Sequence, residues 1–146
     1  LVFSQLHSSD DYHNIDALCD AIKKSVKILK KIRKKIGVCS PSPINLFIST
    51  PNFAITLRYV LDYGRFTNTL EESRDTYYHS MWYTFGEHFQ SSGSDFVMSK
   101  GTHKSIIIAS EPLTENIHNW LQVPTYTMLV AERKKDCVQH KLIHVD

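Results

Sequence analysis

The sequence predicts an α+β domain, with one long amphipathic helix near its start followed by strands that pair mostly antiparallel. Three observations carry that expectation. Apolar residues recur at steps of three and four over residues 14–36, which lays their side chains along one helical face. After Pro41 and Pro43 the pattern changes to alternation, the period of a strand on a sheet. Short apolar runs bounded by turn-forming residues then continue to the end of the chain, without an internal repeat.

The helix stripe consists of Ile15, Leu18, Cys19, Ile22, Val26, Leu29, Ile32 and Ile36. Asn14 is placed to cap its start and Gly37 to close its end. The other face carries Lys23, Lys24, Lys27, Lys30, Lys31, Arg33, Lys34 and Lys35. Cations in the last turns of a helix are favoured by its dipole, and no aromatic residues are interleaved to stack on bases. A solvated face is therefore expected, rather than a polyanion site.

Residues 44–48 and 53–60 read as two strands of a hairpin around Ser49-Thr50-Pro51-Asn52. Residues 61–74 are polar and weakly patterned, which predicts a loop. The aromatic-dense stretch 77–85 predicts a strand ending at Gly86, and the serine-rich stretch 90–95 predicts another loop. Residues 104–109 hold three consecutive isoleucines, which predicts a strand buried on both faces. A final pair is expected at 125–131 and 136–145, turning through residues 132–135.

Composition bounds the function class. The chain has 146 residues, 42% hydrophobic and 22% charged, which suits one folded domain. A formal net charge of +2 is too mild to argue for nucleic acid, and no apolar stretch is long enough to cross a bilayer. Leu1-Val2-Phe3 is too short for a signal-peptide core. Three cysteines without a CxxC spacing, and no Asn-x-Ser/Thr acceptor, suit a reducing, cytoplasmic setting. Residue 1 is Leu rather than Met, as in a processed product or a piece of something longer.

The candidates for chemistry are few. Cys19 lies on the apolar stripe, where a thiol behaves as a small hydrophobe. Cys39, in Val38-Cys39-Ser40-Pro41, is more exposed but has no histidine at a telling spacing. Cys137, His140 and His144 form a C-x2-H-x3-H cluster that could ligate zinc if a fourth ligand came from elsewhere, and a small zinc protein rests on this cluster alone. On a strand, His140 and His144 share one side while Cys137 points to the other. His7, His13, His79, His88, His103 and His118 are scattered, and the chain carries no Walker loop, dinucleotide fingerprint or Ser-His-Asp signature.

The stretch 106–114, Ile-Ile-Ile-Ala-Ser-Glu-Pro-Leu-Thr, followed by Trp120 and Val123-Pro124, is the most specific motif. It resembles the end of a class II glutamine amidotransferase domain, closest to the amidotransferase subunit of the fungal glutathione-degrading complex. Upstream, Phe3 to Leu6, Ile44 to Phe47, Thr56 to Tyr59, Tyr77-Tyr78 and Gly86 to Phe89 are similar to the family's further motifs in the same order. The turn Ser49-Thr50-Pro51-Asn52 departs from the family's common Thr-Asp-Gly.

That resemblance implies an N-terminal-nucleophile hydrolase, a four-layer αββα sandwich in which two antiparallel sheets lie between helix layers. It also implies chemistry at a γ-glutamyl amide of glutamine, glutathione or a related peptide, without metal or organic cofactor. In such enzymes the thiol of a first-residue Cys attacks, its own α-amine serves as base, and an Asn-Gly pair builds the oxyanion hole. Here residue 1 is Leu and there is no Asn-Gly. Residues 1–146 therefore correspond to the C-terminal half of one such domain, with the substrate-gripping turn falling just before Leu1. No catalytic, cofactor-binding or metal-binding residue is assigned within the chain. The implied partners are the missing N-terminal half and a peptidase-like subunit, with neither nucleic acid nor membrane. A non-catalytic scaffold or partner-binding module of the same fold is the alternative.

Glu111 then needs a role. With no nucleophile or proton partner evident, it is expected to hold a corner, accepting hydrogen bonds from backbone N–H groups freed where Pro112 ends the strand. Ser110 is expected to act in the same way.

Overall fold

A computed structural model describes residues 1–38, 40–61, 80–87, 89–92, 95–98, 103–114 and 116–146. Helix α1, Ile15–Lys35, forms where the apolar stripe predicts it. The Asn14 side chain accepts hydrogen bonds from the N–H groups of Asp16 and Ala17 at 3.0 and 3.1 Å, satisfying two donors that the first turn leaves unpaired. At the other end Gly37 adopts φ +69°, a left-handed conformation that glycine enters without a Cβ penalty. The N–H groups of Gly37 and Val38 then turn back to the carbonyls of Lys34 and Arg33, which stops the helix.

The larger sheet contains β1 (Ser42–Ser49), β2 (Phe53–Leu61), β8 (Thr127–Arg133) and β9 (Val138–His144) in the order β1-β2-β8-β9, all antiparallel. The hairpin β1–β2 pairs Leu46 with Leu57 and Ile48 with Ile55. Its turn is held by Thr50, whose hydroxyl accepts from the N–H groups of Asn52 and Phe53. One face of this sheet packs on α1. Ile55, Leu57 and Tyr59 of β2 and Met128 and Val130 of β8 join Leu18, Cys19, Ile22 and Val26 in a single buried cluster. Each such side chain contributes about 1.5–3 kcal/mol of apolar burial.

The second face of the larger sheet meets a smaller one. Strand β3 (Trp82–Gly86) lies between β6 (Ser105–Ala109) and the two-residue β7 (Leu121–Gln122), again antiparallel. Leu129 of β8 packs with Met81, Tyr83 and Val123, and Phe85, Ile106 and Ile108 close the cluster. The described layers are thus helix, sheet, sheet. Because the smaller sheet is narrow, it leaves Phe47 of β1 and Leu142 of β9, on the outer strands of the larger one, exposed.

Three expectations change. The loop expected over 90–95 is instead part of a hairpin, β4 (Phe89–Ser92) paired with β5 (Asp95–Met98). Serine-rich composition masked a two-residue separation that begins with Gly, itself a hairpin signal. Strand β6 is half-buried throughout rather than buried on both faces, because it is the edge of its sheet. The strand expected from residue 77 is described only from Trp82, with residues 77–79 and most of the loop expected over 61–74 outside the described residues.

Candidate functional site

A polar seam runs between the two sheets. Strand β2 is buried on both faces nearly throughout, and its smaller-sheet face presents Thr56 and Arg58. Arg58 is only 6% exposed, and its Nη1 donates to the Val123 carbonyl at 2.7 Å. Burial lowers the basicity of this guanidinium, since removing water disfavours the charged form. The hydroxyl of Thr56 is buried with no hydrogen-bond partner among the described residues.

One end of the seam is a corner. Asn45 of β1 donates through Nδ2 to the Ser80 carbonyl at 2.9 Å, and the Ser80 hydroxyl donates to the Ser110 carbonyl at 2.7 Å. The chain leaving β6 at Ser110-Glu111-Pro112 is therefore fixed to the start of β3 and, through it, to β1. This corrects the expected role of Glu111. Its side chain is exposed and accepts no hydrogen bond among the described residues, whereas the backbone carbonyl of Ser110 is the atom held. A backbone acceptor at a strand end is already oriented by the sheet, so fixing it requires only the short Ser80 side chain to be ordered.

Beyond the corner, residues 111–114 and 116–120 return across the outer face of the smaller sheet. Thr84 of β3 donates its hydroxyl to the Asn119 carbonyl at 2.8 Å, and the Trp120 indole donates to the Thr114 hydroxyl at 2.9 Å. Trp82 is buried there as well, its indole N–H without a partner among the described residues. The order Thr114, Trp120, Val123 in the sequence thus has a physical basis. Thr114 orients Trp120, and the Val123 carbonyl receives Arg58.

Among the described residues the cysteine and histidine candidates do not converge, and His79 and His88 lie outside them. Cys19 is buried in the helix–sheet core, and burial pushes its thiol above the ordinary range. Cys137 is partly exposed in the turn between β8 and β9, where its carbonyl accepts from Lys134 N–H. His140 lies against Phe85 and Tyr83, with ring centroids 4.7 and 5.6 Å away, and His103 stacks on Phe85 at 4.7 Å. His144 approaches Asp146 instead. Among the described residues, no three His, Cys, Asp or Glu side chains gather in a way that could hold a metal. Cys39 lies outside the described residues.

The hydroxyls of Ser80, Thr84 and Thr127 donate to backbone carbonyls, and burial raises the Tyr83 phenol. In the sequence Arg58 stands within Thr56-Leu57-Arg58-Tyr59, where it carries no expected role. The available signal was a cation inside an otherwise unbroken apolar strand, which is costly unless it is hydrogen-bonded. Among the described residues no helix is long and apolar enough to cross a membrane. No protein-family model, curated protein or solved structure matches this chain.

Proposed function

We propose that this chain is the supporting C-terminal portion of a class II glutamine amidotransferase-like domain that acts on γ-glutamyl amide bonds. Its nucleophile and oxyanion hole lie in polypeptide preceding Leu1. The observation that supports the reading best is the corner made by Asn45, Ser80 and Ser110 together with the Arg58–Val123 tie. These bonds join the segments whose order resembles the family, namely the hairpin strands, the Ser-Glu-Pro-Leu-Thr corner and the Val-Pro turn. Two stacked antiparallel sheets with a helix on one outer face are compatible with three layers of the proposed αββα sandwich. The fourth layer and the catalytic Cys belong to the preceding segment.

In this reading the chain forms one wall of the reaction chamber. The seam excludes water and holds the sheets at fixed separation, so that groups supplied by the preceding segment meet the substrate in one geometry. The buried hydroxyl of Thr56 and guanidinium of Arg58 are components of that wall rather than proton-transfer groups. Glutathione, glutamine and related γ-glutamyl peptides are the substrates to assay, and the setting proposed is cytoplasmic. The test is glutamate release from these compounds by the natural protein and by the 146-residue chain. Activity in the natural protein, lost when a Cys preceding Leu1 is replaced by Ala, supports the reading. Activity of the 146-residue chain alone, or a natural protein inactive on all γ-glutamyl compounds, contradicts it.

A further inference from the structure

Three hydroxyl residues of the chain are followed by proline, in Ser40-Pro41, Ser42-Pro43 and Thr50-Pro51. A proline there offers no N–H and disfavours a helical conformation at the residue before it. Such a pair suits the cleft of a proline-directed kinase, which takes an extended segment and needs no backbone donor after the acceptor.

The fold separates the three. Thr50 is engaged in its turn, where its hydroxyl accepts from the N–H groups of Asn52 and Phe53 and donates to the Phe53 carbonyl at 3.2 Å. Ser42 opens β1 opposite Leu61, and Ile44, two residues on, packs against the helix–sheet core. Drawing Ser42 and its flank into a cleft would withdraw Ile44 from that core. Ser40 has neither restraint. It is exposed, as is Pro41, and both precede β1, so Ser40-Pro41 can enter a cleft without moving a core side chain.

Cations already stand at Ser40. The left-handed turn at Gly37 folds the chain back on α1, and Arg33 Nη2 donates to the Ser40 carbonyl. Lys34 and Lys35 follow Arg33 in the last turn of the helix. A guanidinium that reaches the Ser40 carbonyl needs only a side-chain rotation to meet a phosphate on the same residue, where its planar fork can pair with two oxygens. The helix C-terminus opposes a phosphate with about half a negative charge, against the full positive charges of Arg33, Lys34 and Lys35. The cations therefore prevail.

We propose that Ser40 is a phosphorylation site for a proline-directed kinase, its phosphate being held by Arg33. In the transfer the Ser40 Oγ–phosphorus bond forms as the bond from the γ-phosphorus of ATP to its bridging oxygen breaks. ADP leaves with that electron pair, and the hydroxyl proton passes to the base of the kinase. Ser40 lies outside every segment that carries the amidotransferase reading, so either can fail alone.

The test incubates the natural protein with magnesium ATP and a mitogen-activated protein kinase, and locates phosphate within residues 1–146 by peptide mass spectrometry. Phosphate on Ser40, with none on Ser42 or Thr50, is expected, and Ser40→Ala should leave these residues unlabelled. The phosphorylated protein should melt about 2–4 °C higher than the unmodified one, and Arg33→Gln should remove that rise. An unlabelled Ser40, or equal labelling of Ser42 or Thr50 in the folded protein, overturns the site. A melting temperature that falls or stays unchanged, or a rise that survives Arg33→Gln, overturns the pairing with Arg33.

Discussion

The guanidinium of Arg58 in the larger sheet donates to the carbonyl of Val123 in the turn leaving the smaller one, across 65 residues of chain. The tie makes the two sheets one cooperative unit. Arg58→Met keeps most of the length but leaves a buried acceptor unpaired, so it should cost about 1–3 kcal/mol. Arg58→Ala adds a cavity and should cost more. A lower urea midpoint at constant slope is the expected readout. An unchanged midpoint in both variants would show that the sheets associate without this bond.

Ser80 and Glu111 give a paired prediction at the corner. Ser80→Ala removes the donor to the Ser110 carbonyl and should cost about 1–3 kcal/mol. Glu111→Ala, at an exposed side chain, should stay within about 0.5 kcal/mol of the parent in thermal unfolding. The reverse order would return the corner role to the carboxylate.

Cys19 gives a pH dependence. Burial pushes its thiol up in the folded state, so the thiolate forms more readily in the unfolded chain. The associated stability is complete below the ordinary thiol range, about 8.5, and is lost as pH rises through the folded value. The parent protein should therefore lose stability above that range relative to Cys19→Ala, a comparison in which other titrating groups are shared. Parallel stability–pH curves for the two proteins would contradict it. For the same reason iodoacetamide should modify Cys137 in the native protein and Cys19 only after unfolding.

Asn14 supplies the most local test. Replacing it with Ala leaves the Asp16 and Ala17 N–H groups without their acceptor and should cost about 0.5–2 kcal/mol. Asn14→Asp keeps an acceptor at the positive end of the helix dipole and should preserve stability.

What the sequence disclosed follows the range of the interactions involved. Helix α1 was legible to its ends because stripe, cap and closing glycine are local signals that agree. The hairpin β1–β2 was legible from alternation on either side of Ser49-Thr50-Pro51-Asn52. The depth of β2 was not, because its second face meets Val123, 65 residues away in the chain. The Ser110 corner was recognised as a corner, but its holding atom was misplaced, since the partner Ser80 lies 30 residues earlier. The stripe of α1 was expected to run as one face to Ile36, yet Ile32 and Ile36 are exposed.

The most direct measurement of the central claim is the site of covalent capture. The natural protein is treated with an electrophilic glutamine analogue under turnover conditions, and the modified peptide is located by mass spectrometry. The account predicts a single label on a cysteine preceding Leu1, with Cys19, Cys39 and Cys137 untouched. Label on any of those three cysteines, competed away by glutamine or glutathione, would place the nucleophile inside this chain and contradict the account.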